Sequence, residues 1–170
     1  MSRPTLIVYC GLPGVGKSAA SAYTATHAPA ERYRSDEVRK ELFPEPRYTS
    51  AETLATYDEL LERAQTALEQ GTDVVLDATF RTKRLRDRAE SVAREAGAHS
   101  VFARVVCDER IVRERLANRN GGVSDADVEV YELVRDSFDP VERDHAVIDN
   151  SESLETTRRQ IDRRVLQTVP

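Results

Sequence analysis

Lysine is nearly absent from this 170-residue chain: of its 25 Lys and Arg residues, only Lys17, Lys40 and Lys83 are lysine. The position of each lysine is therefore informative. Long apolar runs are missing too. The longest, Leu6–Cys10, has five residues, against the roughly 20 needed to cross a bilayer. No charged start leads into an extended apolar stretch, so no signal peptide is expected. The two cysteines, Cys10 and Cys107, are too few for a disulfide framework and fall in apolar, strand-like runs. They read as buried thiols of a cytoplasmic protein. The three histidines (27, 99 and 145) are scattered, and no His/Cys spacing suits zinc. A cationic excess is also lacking. The net charge of −5 argues against a general nucleic-acid coater, whose affinity rests on a cationic surface, though not against a local basic groove.

What the chain does have is an alternation of short apolar runs and longer segments of helical period. Leu6–Cys10 reads as a buried strand, followed by Gly11–Gly16 and an Ala/Ser-rich helix ending near His27–Pro29. An extended piece at Arg32–Arg34 leads to Ser35 and Asp36, a helix cap, and a brief helix to Leu42; Pro44 and Pro46 mark a loop. Thr49 with Glu52 makes a capping-box pattern. The long helix it opens carries the stripe Leu54, Tyr57, Leu61, Ala64 and Leu68 until Gly71 stops it. Val74–Leu76 is a second buried strand, ending in Asp77, and a helix runs from about Thr82 to Ala96 with Gly97 as its stop. A strand at Val101–Cys107 precedes an Arg-rich helix to Asn118. Asn120-Gly121-Gly122 reads as a hinge, with a helix restarting near Ser124. Ala146–Ile148 is the last strand, and a terminal helix starts at Ser153. Five strands separated by helices predict one α/β domain over residues 1–170. Its parallel sheet would be covered on both faces, with a small helical lid at about 110–138.

Gly11, Leu12, Pro13, Gly14, Val15, Gly16, Lys17 and Ser18 satisfy G-x-x-x-x-G-K-[ST] in full, with Ala19 continuing into the helix. At this chain's composition the four fixed positions would coincide by chance in roughly 7 of 10,000 such sequences. Glycines let the backbone turn so that successive N–H groups surround phosphate oxygens, and the helix N-terminus adds its positive end. Lys17 supplies a mobile charge to the β- and γ-phosphates, and the Ser18 hydroxyl is a candidate Mg²⁺ ligand. ATP with Mg²⁺ is the expected cofactor.

Asp36 follows the short second strand, at the edge where parallel sheets bind ligands. A carboxylate there can take a proton from an attacking hydroxyl, and Arg39, one turn later, can hold the acceptor. The bland alternative is a helix cap and a solvated arginine. Val74–Thr79 looks like a Walker B strand that delivers Asp77 to the same edge, to bind Mg²⁺ through water or to orient Ser18. Arg110, Arg113, Arg115 and Arg119 lie on one helix, with Arg115 and Arg119 sharing a face. Next to a hinge, they suggest a lid that closes guanidinium groups over the γ-phosphate. The Pro44–Tyr48 loop and the long helix after it are expected to shape the acceptor pocket.

Taken together, GLPGVGKS, RSDEVR, VVLDATF and RERLANR resemble the P-loop kinases related to bacterial and phage polynucleotide 5′-hydroxyl kinase domains, a group that includes zeta toxins and chloramphenicol phosphotransferase. The resemblance spans about residues 5–150. It implies a P-loop NTPase fold of three layers with a five-stranded parallel sheet. Lys17 and Ser18 would hold ATP·Mg²⁺, and Asp36 would be the general base. Arg39 would contact a phosphate of the acceptor or its equivalent. Arg115 and Arg119 would be lid arginines near the adenine and phosphates, and the loop at Asp149-Asn150-Ser151 would border the adenine. Where the polynucleotide kinases often carry Asn, this chain has Phe80, which removes a polar group from the expected acceptor region. Three functions follow as expectations: phosphotransfer from ATP to a hydroxyl of a small acceptor, 5′-phosphorylation of a short 5′-OH nucleic acid, or a nucleotide-binding switch without an acceptor. No membrane partner is expected, and nothing in the sequence specifies an oligomeric state.

Overall fold

Four short apolar runs and the polar extended piece at Glu31–Arg34 become five parallel strands among the described residues: β1 (Thr5–Cys10), β2 (Glu31–Arg34), β3 (Val74–Asp77), β4 (His99–Val106) and β5 (Ala146–Asp149). The computed structural model describes residues 2–118 and 125–170, without the side chains of 125 and 126. The strands are ordered β2-β3-β1-β4-β5. Among the described residues seven α-helices connect or follow them: α1 (Lys17–His27), α2 (Ser35–Leu42), α3 (Ser50–Glu69), α4 (Lys83–Glu95), α5 (Glu109–Asn118), α6 (Asp125–Ser137) and α7 (Leu154–Arg164). None of the helices among the described residues is long and apolar enough to cross a membrane.

The near-continuous apolar character of β1 has a direct cause: all six of its residues are buried, because helices cover both sheet faces. Alternate side chains divide between two cores. Leu6, Val8 and Cys10 pack with Leu60, Leu61 and Ala64 of α3 and Ala89 and Ala93 of α4. Ile7 and Tyr9 join Ala20 of α1 and Ile161 of α7 on the other face. The buried Tyr9 hydroxyl is satisfied by Thr24 Oγ1 at 2.6 Å. After β1 the chain goes to the edge strand β2, returns inward to β3, and then crosses to the other side of β1 for β4 and β5. That switch of direction opens a crevice at the carboxyl end of β1, where the glycine-rich loop begins.

Several local expectations are corrected. Leu54, read as part of the buried stripe of α3, is 57% exposed; Leu60 and Ala67 are buried with Tyr57, Leu61, Ala64 and Leu68 instead. Thr49 does cap α3 by accepting from Glu52 N. The Glu52 carboxylate, however, accepts from Arg47 N and Tyr48 N rather than from the cap residue, pinning the loop before the helix. Ser35 and Asp36 do not cap α2: Arg34 is the cap residue, without a side-chain bond, and both lie in the first turn. The fourth strand starts two residues earlier than its apolar run, at His99, and ends at Val106. Cys107 therefore lies beyond it and is only half-buried, whereas Cys10 is buried; both are free thiols. The hinge at 120–122, the restart at Ser124 and Arg119 lie outside the described residues.

Candidate active site

The glycine-rich loop is shaped by what crowds it. Gly11 and Gly16 have φ of +149° and +101°, in the region that favours glycine. A Cβ at Gly11 would stand 2.5 Å from the Val105 carbonyl oxygen, and one at Gly16 only 2.0 Å from Asn150 Nδ2. The close neighbour at Gly16 is a clamp. Asn150 Nδ2 donates to the Val15 carbonyl (2.8 Å), its Oδ1 accepts from Thr157 Oγ1 (2.6 Å), and its N–H donates to Val106 O (2.8 Å). The loop is thus tied to the end of β4 and to α7. Helix α1 starts directly after Gly16 and has no acidic residue in its first turn, so no acid of its own first turn offsets its positive end. Lys17 Nζ folds back over the loop and donates to Gly11 O (2.9 Å) and Leu12 O (2.8 Å).

Beside the loop, the ends of β2 and β3 form a buried polar network. Parallel pairing sets Arg34 opposite Asp77. Asp77 is 6% exposed, and its Oδ2 accepts from Ser21 Oγ at 2.7 Å. The same oxygen lies 3.6 Å from Arg32 Nη2 and 3.5 Å from Arg34 Nε. Arg32 also bonds Ser21 Oγ (2.9 Å) and Ser18 O (2.8 Å), while Arg34 Nη2 donates to Ser18 Oγ (2.7 Å). Asp77 therefore reaches Ser18 through Arg34.

A cavity of about 620 Å³ opens over these groups, and Lys17, Ser18, Asp36, Asp77, Arg115 and Asn150 all line it. Asp36 is exposed in the first turn of α2. Arg115 reaches in from α5, with Nη2 on Asn150 O (3.0 Å) and Nη1 by Cys107 Sγ (3.5 Å). Arg113 bridges Glu109 and Glu132 of α6 at 2.9 and 2.8 Å, holding α5 to α6.

Arg39 is not among the residues that line the cavity. It lies under the Tyr48 ring, 5.0 Å from its centroid, donates to Thr53 Oγ1 (3.1 Å) and sits 3.7 Å from Glu52. Tyr48 itself lines the cavity, 70% exposed, at a φ of +56°. The expectation for Phe80 also changes. It is fully buried, edge-on to Tyr57 with centroids 5.2 Å apart, and thus belongs to the core rather than to the acceptor region. Its backbone is left-handed, with φ +44°. Tyr57 Oη accepts its N–H (3.0 Å) and Arg86 Nη1 donates to its carbonyl (2.8 Å). Arg86 is 1% exposed and also donates to Asp139 O and Pro140 O.

Sequence reasoning missed Arg32 and Arg34. Their alternation on a strand was a signal, since period two sets both on one face, but nothing local marked β3 as the neighbour of β2. It also missed Arg86, an arginine on an apparently polar helix whose burial follows from carbonyls brought together across the fold.

The site suits Mg²⁺·ATP on its own chemistry. The loop is wound too tightly for side chains, a lysine and a helix N-terminus supply positive charge, and Ser18 and Asp77 are oxygen donors of the kind Mg²⁺ takes. Among the described residues no three His, Cys, Asp or Glu side chains gather as a cation cage.

A phosphate loop between β1 and α1 of a parallel sheet in this order defines the P-loop kinase fold. The fold is shared at 15% identity with an APS kinase of Mycobacterium tuberculosis in complex with AMPPNP and APS, with a TM-score of 0.79 over 99% of this chain and 100% of that one. A gluconokinase from Sinorhizobium meliloti 1021 shares it at 19% identity, with a TM-score of 0.72 over 94% and 90% of the two chains. More particularly, the chain belongs to the AAA domain family, which residues 6–141 match. Uncharacterized proteins of Mycobacterium tuberculosis and Mycobacterium bovis are 31% identical to it over 71% of this chain. The chain spans about a quarter of the length of these curated relatives, the matched share being 26%.

Proposed function

We propose that the protein is an ATP-dependent phosphotransferase that moves the γ-phosphate to a hydroxyl of a small acceptor. It would belong to the polynucleotide 5′-hydroxyl kinase, zeta toxin and chloramphenicol phosphotransferase-like group, with residues 110–138 serving as its lid. The supporting observation is that one cavity is lined by both the phosphate loop and Asp36. A loop alone serves any NTPase. A carboxylate across the same space, with no hydrogen bond or ion pair holding it among the described residues, is what acceptor activation requires.

In this reading the residues from Gly11 to Ala19 bind the triphosphate, Lys17 follows the migrating charge, and Asp36 takes the proton of the acceptor hydroxyl. Bound Mg²⁺·ATP supplies the phosphoryl group, with Ser18 and Asp77 on the metal side. Arg115 and Asn150 border the base and phosphates, and Arg119, outside the described residues, carries the lid role that the resemblance implies. Arg39 acts on the acceptor side, through the Tyr48 ring it supports. The contribution is electrostatic and positional rather than covalent.

A small acceptor is favoured over a nucleic acid by where the other arginines sit. Arg39, Arg47, Arg81 and Arg84, the arginines from which a polynucleotide groove would be built, do not line the cavity. Arg84 instead borders a separate groove between α3 and α4. The test is transfer of labelled γ-phosphate to a panel of oligonucleotides, nucleosides, sugars and amino alcohols, by the parent and by Asp36→Asn. We expect transfer to a small hydroxyl compound, a loss of about 10²-fold or more in Asp36→Asn, and ATP affinity in that variant near the parent's. Label on oligonucleotides instead would favour the polynucleotide reading, and ATP turnover that no acceptor stimulates would favour the switch.

A further inference from the structure

The two oxygen donors available to a metal ion at this site are already bound to a cation. Arg34 Nη2 donates to Ser18 Oγ at 2.7 Å, and Arg34 Nε lies 3.5 Å from Asp77 Oδ2. That nitrogen is buried and makes no hydrogen bond, so its favourable interaction is the charge of Asp77. A guanidinium keeps its proton throughout the accessible pH range, and its positive charge here is permanent. Ser18 Oγ offers two lone pairs, one of which is engaged by Arg34. A divalent ion approaching the other would meet a like charge within a few ångströms, in a part-buried environment where screening is weaker than in bulk water.

From this we infer that Arg34 is a resident cation of the phosphate site, which competes with Mg²⁺ for Ser18 and Asp77 and must leave Ser18 when metal-bound nucleotide enters. The inference rests on the nucleotide-binding reading above. Arg34 is a positioning residue in this account, because it sets the state of Ser18 and Asp77. Its outer nitrogen, Nη1, already lies 3.2 Å from Glu37 Oε1 at the exposed edge, so a partner is in place for the displaced guanidinium. Anything that binds two groups in place of the metal lowers the apparent metal affinity by its own binding, a matter of linkage. Arg32 provides an internal comparison. It touches Ser18 through the backbone carbonyl and Ser21 through the hydroxyl, and leaves Ser18 Oγ alone.

The readout is the metal enhancement of ATP binding. It is the ratio of calorimetric ATP dissociation constants in excess EDTA and in saturating Mg²⁺. It is measured for the parent, Arg34→Gln, Arg34→Met and Arg32→Gln, with thermal melts to establish folding. The enhancement should rise about tenfold in both Arg34 variants, the scale of a lost charge-assisted hydrogen bond, and by about threefold or less in Arg32→Gln. Arg34→Met keeps the packing of the stem, so a folding failure of Arg34→Gln leaves the comparison in place. An unchanged ratio in a folded Arg34 variant with ATP binding intact overturns the competition and leaves the proposed function standing. An equal rise in Arg32→Gln also overturns it, since general charge would then be the cause. Parent protein that binds ATP in neither condition overturns the nucleotide reading and this inference together.

Discussion

Replacing Asn150 with alanine tests whether the phosphate loop is held from below. The side chain is buried, donates to Val15 O and accepts from Thr157 Oγ1. The two partners do not suffer equally. Thr157 Oγ1 also lies 3.3 Å from Ser153 O, so its hydroxyl has a second acceptor to turn to. The Val15 carbonyl loses this buried donor. One orphaned carbonyl and two lost hydrogen bonds cost about 2–3 kcal/mol, or roughly 4–12 °C in Tm for a chain of this size. A second effect follows from the planar trans peptide, in which C=O and the next N–H point in opposite directions. Holding Val15 O toward Asn150 aims the Gly16 N–H away from it, toward the space where phosphate would sit. ATP affinity of Asn150→Ala should therefore fall by about tenfold, the scale of one N–H contact to a charged group. Urea unfolding and calorimetric titration measure the two effects separately. An unfolding free energy within about 0.5 kcal/mol of the parent, with ATP affinity unchanged, would refute the clamp.

Two further expectations concern the core behind the site. Tyr57→Phe removes the acceptor of the buried Phe80 N–H, at a residue already held in a left-handed conformation, and should cost about 1–3 kcal/mol in urea unfolding; no measurable loss would contradict that role. Alkaline pH should destabilise the fold, because burial raises the Cys10 thiol from 9.0 to about 11 and Tyr57 from 10.0 to about 12. A group whose folded pKa is raised contributes stability that is complete below its unfolded value and lost as pH climbs to the folded one. The window is thus about pH 9–11 for Cys10 and 10–12 for Tyr57. Urea midpoints taken at pH 8 and pH 10.5 should fall further in the parent than in Cys10→Ala, and equal falls would rule out Cys10 as a contributor.

The elements that were legible in the sequence are those whose signals are local. Gly11 to Ser18 carry their own backbone requirements, and the apolar runs of β1 and β3 can be stable only between two covered faces. Thr49, Thr82 and Ser153 each accept a backbone N–H at the start of their helix, as short polar side chains at such positions do. Signals that depend on a distant partner were misread. Arg39 was expected to contact the acceptor directly, and its engagement with Glu52 and Tyr48, thirteen and nine residues on, is not visible in the linear chain. Phe80 looked like a substitution in the acceptor region, whereas the turn after β3 directs it toward Tyr57 and the core.

By itself, then, the sequence determined the phosphate loop, the parallel α/β class and the separate candidacies of Asp36, Asp77 and Arg115. Each follows from residue type and spacing within one turn or one strand. Tertiary structure alone decided which of these share a cavity, and what each is already bound to. Strand order sets Arg34 beside Asp77 and Ser18, and the end of β5 brings Asn150 under Gly16. Hydrogen bonds and ion pairs act over a few ångströms, while Asn150 and Val15, which share one at this site, lie 135 positions apart. Only the fold converts the one kind of distance into the other.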